Sequence, residues 1–355
     1  MEFRNRIFGH LNEGDFNTTA LDIFRFQYER NEIYRRYTDA IGLVPGKISH
    51  YSQIPFLPVS FFKTYPVVSG ISLPEKIFLS SGTTSAVVST GSTTGQLSLN
   101  NLGIGVVVEP VETTTPRSRH LVTDLSIYDE SLVKGFEGFY GLIEAYDIFA
   151  LTPDPQQNPD SSLIYMISKW ILKSRSEASG FYLDRPELLA TLLKERKSSG
   201  KRTLLIGLSY ALIDFAEKFP MALPGVVIME TGGMKGKRKE MIREELYAFL
   251  SERFCCKNIH SEYGMTELLS QAYAQENGHF KTPPWMKVLV RDTNDPLSLL
   301  PEGKTGGINI IDLANFNSCS FLALQDLGKI NGDGTFEVLG RFDFSDLRGC
   351  NLMIG

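Results

Sequence analysis

The 355-residue chain is poor in cysteine, and Cys255, Cys256, Cys319 and Cys350 show neither a disulfide framework nor zinc-site spacing. A reduced, cytoplasmic protein is the expectation. The amino-terminal MEFRNRIFGH lacks the apolar core of a signal peptide. Long apolar runs are missing too: the most apolar stretch, LIYMISKWILK, is short and broken by Lys169, so no membrane span is expected. Positive charge is not in excess. A net charge of −5 and no basic stripe argue against nucleic acid as a partner. The basic cluster at Lys235, Lys237, Arg238 and Lys239 alternates into Glu240, Glu244 and Glu245, as on a solvated helix face. Charge of either sign is absent between Ser85 and Val108, a stretch dense in Ser, Thr, Gly and Asn. That low-complexity signature marks about 86–117 as an insertion of low order.

The rest has the composition of a globular protein with a large core. Leu21, Phe24, Phe26 and Tyr28, then Ile33, Tyr34 and Tyr37, have helical spacing. In IPFLPVSFFK (54–63), Pro55 and Pro58 forbid a continuous helix and favour extended backbone. IFLSSG reads as a buried strand ending in a turn. DRPELLATLLKERKSSG predicts a helix with Asp184 as N-cap, Pro186 early and Gly200 past its end. RTLLIG is a buried strand, ALIDFAEKF a helix and GVVIME a strand. EMIREELYAFLSERF is a helix with Ile242, Leu246, Phe249 and Leu250 on one face. Strand–helix repetition implies a parallel sheet with helices on its faces, and the chain beyond 280 turns to short strands and hairpins. The expected class is α/β with a β-rich carboxyl-terminal section.

Three stretches carry candidate chemistry. In SSGTT, Gly82 lets backbone approach an anion while Ser80, Ser81, Thr83 and Thr84 donate hydrogen bonds. No lysine follows, so it is not a Walker A loop, and a plain Ser/Thr turn fits as well. GLSYA (207–211) resembles a nucleophile elbow with Ser209 as nucleophile and His260 or His279 as base. A helix-capping serine is the simpler reading. In HSEYGMTELLSQAYA (260–274), a tight turn at Tyr263 and Gly264 leads to Thr266 and Glu267 opening a helix. Thr266 would donate to a phosphate oxygen and Glu267 would hold Mg²⁺, or the pair would simply cap the helix.

SSGTT followed by YGMTE resembles the phosphate loop and nucleotide signature of the adenylate-forming ligase superfamily. TGGMKG (231–236), QDLGK (325–329) and GRFDFSDLRGC (340–350) fit the same template in order. With FRFQYERNEIYRRY, IPFLPVSFFK and SRHLVTDLSIY, the chain looks like an acyl-protein synthetase, the fatty-acid-activating subunit type of bacterial luminescence systems. The resemblance spans nearly the whole chain except the insertion. It implies the amino-terminal-type domain of adenylate-forming enzymes over 1–350 with a tail at 351–355, lacking the mobile carboxyl-terminal domain. It implies ATP and Mg²⁺ as cofactors. Ser80–Thr84 would grip pyrophosphate, Gly232 and Gly233 would lie against adenine, Tyr263 and Gly264 would belong to the nucleotide- and phosphate-binding set, and Thr266 would hold the α-phosphate. Glu267 would bind the metal, Asp326 and Arg341 the ribose, and Asp343 would be the hinge. A fatty acid or other carboxylic acid would be activated and transferred to Cys350, then handed to a reductase subunit. Arg348 could lower that thiol's pKa. Lys235 and His120 are further catalytic candidates, Lys235 as a replacement cation. The other three cysteines read as packing residues. A coenzyme A ligase and an inactive scaffold are the alternatives.

Overall fold

A computed structural model describes residues 2–81, 116–195, 200–232 and 241–342. The chain starts with α1 (Glu2–Ile7), α2 (Glu13–Arg30) and α3 (Glu32–Ala40). Asn12 caps α2 by accepting from the Asp15 amide at 3.0 Å, with Glu13 and Asp15 favoured beside the positive helix end. Asn31 ends α2 and starts α3: its Oδ1 accepts from the Tyr34 amide while its Nδ2 donates to the Ser318 carbonyl. Phe16, Ala20, Ile23, Phe24 and Gln27 form the buried face of α2, the spacing of one helical stripe. The prolines of 54–63 give the extended segment they predict, β1 (Leu57–Pro58), followed by the single turn α4 (Phe61–Thr64).

β2 (Lys76–Leu79) and β3 (Arg119–Val122) form a separate antiparallel ribbon, with Phe78 opposite His120. The expected buried strand is therefore half right: Phe78 is buried but Ile77 is 42% exposed, because a two-stranded ribbon covers only one face. Next come α5 (Leu125–Tyr140), β4 (Tyr146–Leu151), α6 (Ser162–Ser174), β5 (Gly180–Phe181) and α7 (Pro186–Glu195). Because α7 opens at Pro186, Asp184 precedes the capping position, and its carboxylate accepts from Gln157 instead. β6 (Arg202–Leu208), α8 (Ser209–Lys218), β7 (Val226–Thr231), α9 (Arg243–Phe254) and β8 (His260–Tyr263) complete the alternating region. On α9, Leu246 and Leu250 are buried as expected, whereas Ile242, just before the first turn, is 62% exposed. The final elements are β9 (Ala272–Ala274), β10 (Phe280–Lys281), β11 (Met286–Arg291), β12 (Gly306–Asp312), β13 (Phe321–Ile330) and β14 (Phe336–Arg341).

β4, β6, β7 and β8 pair in parallel, and β5 joins β4 in parallel. Alternation along them feeds two cores. Ile148, Ala150, Leu204, Ile206, Val227 and Met229 enter one; Phe149, Leu151, Leu205 and Ile228 enter the other. The antiparallel strands continue the same sheet in the order β11-β12-β13-β14-β10-β9-β8-β7-β6-β4-β5. β1 adds to β13 in parallel, with Leu57 opposite Leu322. There Tyr34 stacks on Phe321, and Gln27 Nε2 donates to the Phe316 carbonyl at 2.9 Å while its Oε1 accepts from the Ser320 amide. Burying a ring such as Phe321 contributes about 2–3 kcal/mol.

The helix expected at Thr266 does not form. β8 instead turns back into antiparallel β9 through residues 264–271. Cys319 is buried, but Cys255 is exposed at the end of α9 and Cys256 half-buried, so the packing role fits Cys319 best. Among the described residues no helix is long and apolar enough to cross a membrane. The proposed insertion falls almost wholly outside the described residues.

Candidate functional site

A cleft of about 440 Å³ opens at the carboxyl ends of β7 and β8, where the sheet changes from parallel to antiparallel. Crevices beyond strand carboxyl ends are where open α/β sheets take ligands. Segments far apart in sequence border it: Lys63; Ser80 and Ser81; Arg117 and Ser118; Thr231 and Gly232; Gly264, Thr266 and Glu267; Asp326; and Arg341. Ser161 and Ser162 bring the amino-terminal end of α6 to the same rim, an end whose dipole favours anions.

Ser80 is locked to the strand opposite. Its amide donates to the Ser118 carbonyl at 3.0 Å, its Oγ accepts from the Ser118 amide at 2.9 Å, and its carbonyl accepts from Arg117 Nε at 2.5 Å. The loop after β8 is suspended from behind. The buried Asp312 carboxylate accepts from the Leu269 and Ser270 amides at 2.8 and 3.0 Å and from Ser270 Oγ at 2.6 Å. Burial lifts its pKa to about 6 against the pull of these donors. His120 Nδ1 lies 2.7 Å from the Thr266 carbonyl, and Asn315 Nδ2 donates to the Glu267 carbonyl at 2.8 Å. His120 is wholly buried, and burial holds its pKa down to about 4. It therefore faces the backbone of the loop, not the cleft. Glu267 is 6% exposed; burial raises its pKa while the Ser118 side chain and the charges of Arg341 and Lys63 oppose that shift.

On the opposite wall, Asp326 and Arg341 are antiparallel partners on β13 and β14. Arg341 Nε donates to Asp326 Oδ1 at 3.2 Å, and the Tyr263 hydroxyl donates to Oδ2 at 2.6 Å. Tyr263 thus supports this wall through Asp326. At the floor, Thr231 Oγ1 donates to Glu262 Oε2 at 2.5 Å, and burial raises the Glu262 pKa to about 7, with Glu230 adding to the effect. Gly264 has a steric reason: a Cβ there would stand 2.6 Å from Glu262 Oε1.

Of the residues singled out from sequence, Ser80, Ser81, Gly232, Gly264, Thr266, Glu267, Asp326 and Arg341 meet on this cleft. Gly82, Thr83, Thr84, Gly233, Lys235, Asp343 and Cys350 lie outside the described residues. Lys63, Arg117, Ser118, Glu262 and Gln271 were not anticipated as cleft residues. Lys63 ends the marked IPFLPVSFFK, whereas Arg117 directly precedes SRHLVTDLSIY and stood at the end of the stretch read as an insertion. The elbow reading of GLSYA fails. Ser209 begins α8 after Leu208 in the cap position, and its Oγ donates to Glu230 at 2.9 Å. The two candidate bases are engaged elsewhere: His260 faces the Tyr140 hydroxyl, and His279 faces Glu337.

An open conformation of 2-hydroxyisobutyryl-CoA ligase, in complex with 2-HIB-AMP and CoA, superposes with a TM-score of 0.63 at 13% identity. The match covers 93% of this chain and 75% of that one. The same ligase in the postadenylation state with 2-HIB-AMP gives 0.62 at 12%, covering 93% and 68%. The fold is that of an adenylate-forming enzyme domain. ATP-bound MatB from Rhodopseudomonas palustris gives 0.51 at 14%, covering 75% of this chain. The chain spans about half of MatB, 47% of its length. No protein-family model and no curated protein sequence matches the chain.

Proposed function

We propose that the cleft activates a carboxylic acid with ATP. The observation that carries this reading is the convergence of Ser80, Thr266, Glu267, Asp326 and Arg341 on one cleft from four separate segments. In the first step a carboxylate oxygen bonds to the α-phosphorus of ATP and the bond to the β-phosphate oxygen breaks, leaving acyl-adenylate and pyrophosphate. The protein supplies no nucleophile here; positioning and charge neutralisation carry the rate. Ser80 and Ser81, with Arg117 beside them, would hold the departing pyrophosphate. Thr266 would donate to the α-phosphate, and Asp326 would accept from ribose hydroxyls with Arg341 alongside. Lys63, Arg117 and Arg341 put cationic side chains on the rim without recourse to Lys235.

Mg²⁺ would neutralise phosphate charge when bound. Among the described residues no cluster of three metal-ligating side chains exists. Glu267 in the cleft suits the mode in which one carboxylate is joined by nucleotide oxygens and water.

The finer reading is a fatty acid as substrate and Cys350 as acceptor. The thiolate would attack the acyl carbonyl, the bond to AMP would break, and the thioester would pass to an acyl reductase in the cytoplasm. Thiolates suit this step because they are strongly nucleophilic at neutral pH. Coenzyme A as acceptor is the second reading, favoured by the naming of the neighbours as CoA ligases. Labelling with radioactive fatty acid and ATP, followed by neutral hydroxylamine, separates them. Label on the protein that hydroxylamine removes, and that Cys350→Ser lacks, supports transfer to Cys350. Label that persists in Cys350→Ser, or acyl-CoA that accumulates on adding coenzyme A while the protein stays unlabelled, overturns it.

A further inference from the structure

Beneath Gly264 the cleft has a polar floor that the nucleotide assignment leaves unused. Gln271 lines the cleft, is 4% exposed, and has an Oε1 without a hydrogen-bond partner among the described residues. Glu262 lines it as well, held through Oε2 by Thr231. The two side chains meet under one glycine: a Cβ on Gly264 would lie 2.6 Å from Glu262 Oε1 and 3.3 Å from Gln271 Cγ. Opposite Glu262 across the strand pair is Tyr273, whose hydroxyl also lacks a partner among the described residues.

Strand alternation separates this floor from the ribose wall. Glu262 and Tyr263 are successive residues of β8 and point to opposite faces. Tyr263 reaches Asp326, whereas the charge of Glu262 acts on Tyr128, a cleft residue on α5. Met166 of α6 lines the cleft as well. The floor therefore lies on the face of β8 opposite the Asp326 and Arg341 wall, together with the Tyr128 ring. Near neutrality the Glu262 carboxyl is partly protonated, so it donates as well as accepts.

We infer that the acid activated here carries a hydroxyl group along its chain, received by Gln271 and Glu262 while Tyr128 and Met166 cover the hydrocarbon. The inference rests on the acid-activation reading and narrows its substrate class. A hydroxyl donates to the unmet Gln271 Oε1 and accepts from the Glu262 carboxyl. A plain hydrocarbon chain leaves the buried Gln271 Oε1 unmet and Glu262 with Thr231 alone, and sites built to bond a hydroxyl reject the analogue without one.

The test uses the full chain and straight-chain acids of equal length, unsubstituted or with one hydroxyl moved along the chain. ATP–pyrophosphate exchange gives kcat/KM, and calorimetry gives Kd without turnover. One hydroxy acid is expected to be preferred by roughly tenfold or more. Gln271→Leu removes the preference through the KM for acid and leaves the KM for ATP unchanged. Glu262→Gln, which still donates and accepts, keeps it. Gln271→Met, of matching length, gives the same readout if the leucine variant folds poorly. Equal binding of hydroxylated and plain acids at every position overturns the inference. A rise in the KM for ATP in Gln271→Leu also overturns it, by assigning the amide to the nucleotide. Selective, Gln271-dependent binding of a hydroxy acid without exchange would sink acid activation while keeping Gln271 as the receiver of the hydroxyl.

Discussion

Replacing His120 with leucine tests whether this ring holds the Thr266 loop or performs chemistry. Leucine fills most of the ring's space, so the main loss is the donor to the Thr266 carbonyl in a fully buried setting. An unmet buried acceptor costs about 1–3 kcal/mol; the neutral ring has a single N–H, so with the proton on Nδ1 the Asn315 Oδ1 at 3.1 Å adds no bond to lose. His120→Leu is therefore expected to lower stability by about 2–3 kcal/mol at pH 7.5. The folded pKa of about 4 lies below the usual 6.5 because burial disfavours the imidazolium. The wild-type contribution is thus complete above pH 6.5 and is lost as pH falls toward 4. At pH 5 the loss is about 2 kcal/mol, which the leucine variant does not suffer. Urea unfolding followed by fluorescence of the buried Trp170 and Trp285 reads both proteins at both pH values. His260, also held down to about 4, is common to both and cancels in the difference. The gap should shrink from about 2–3 kcal/mol to under about 1 kcal/mol on acidification. A gap that stays constant or widens refutes the reasoning. Both atoms facing the ring are acceptors, and that result would mean they hold an imidazolium despite its burial.

Two further substitutions probe opposite walls of the cleft. Gly264→Ala sets a methyl against Glu262 Oε1 and should lower stability by about 1–3 kcal/mol while raising the KM for acid more than for ATP. Urea unfolding and pyrophosphate exchange measure the two effects, and unchanged values in both would contradict the packing described. Asp326→Asn removes the charge that Tyr263 and Arg341 address; with Arg341 mostly exposed, that pair counts for under about 1 kcal/mol. Stability should change little, and the KM for ATP should rise roughly tenfold or more as the charged acceptor for ribose is lost. An unaltered KM for ATP would remove Asp326 from the nucleotide site.

Much of the architecture was legible because its causes are local. Pro55 and Pro58 dictate extended backbone by their own rings, and the apolar runs at 202–207 and 226–229 declare strands buried on both faces. The motif residues Ser80, Thr266, Glu267, Asp326 and Arg341 could be picked out because each sits in a short pattern that a template recognises. What escaped depends on distant partners. Thr266 and Glu267 look like a helix start, but the Leu269 and Ser270 amides are taken by Asp312, on the far side of β9 to β11 in sequence. Glu262 gave no signal of its own as a cleft residue, since its burial and its bond to Thr231 arise only when β7 and β8 pair. Ser209 was misjudged by one position: its partner Glu230 lies on the neighbouring strand and draws the hydroxyl away from a capping role.

The pairing of β1 with β13 has a consequence for biosynthesis. Residues near 57 wait for residues near 322 to leave the ribosome before their edge hydrogen bonds close, and Gln27 waits for the 316–320 turn. Until then Phe24 of α2 and Tyr34 of α3 lack the Phe321 ring that packs against both. Contacts this remote in sequence slow folding and leave the nascent chain open to misassociation, so a holding chaperone should engage α2 and α3 before synthesis reaches β13.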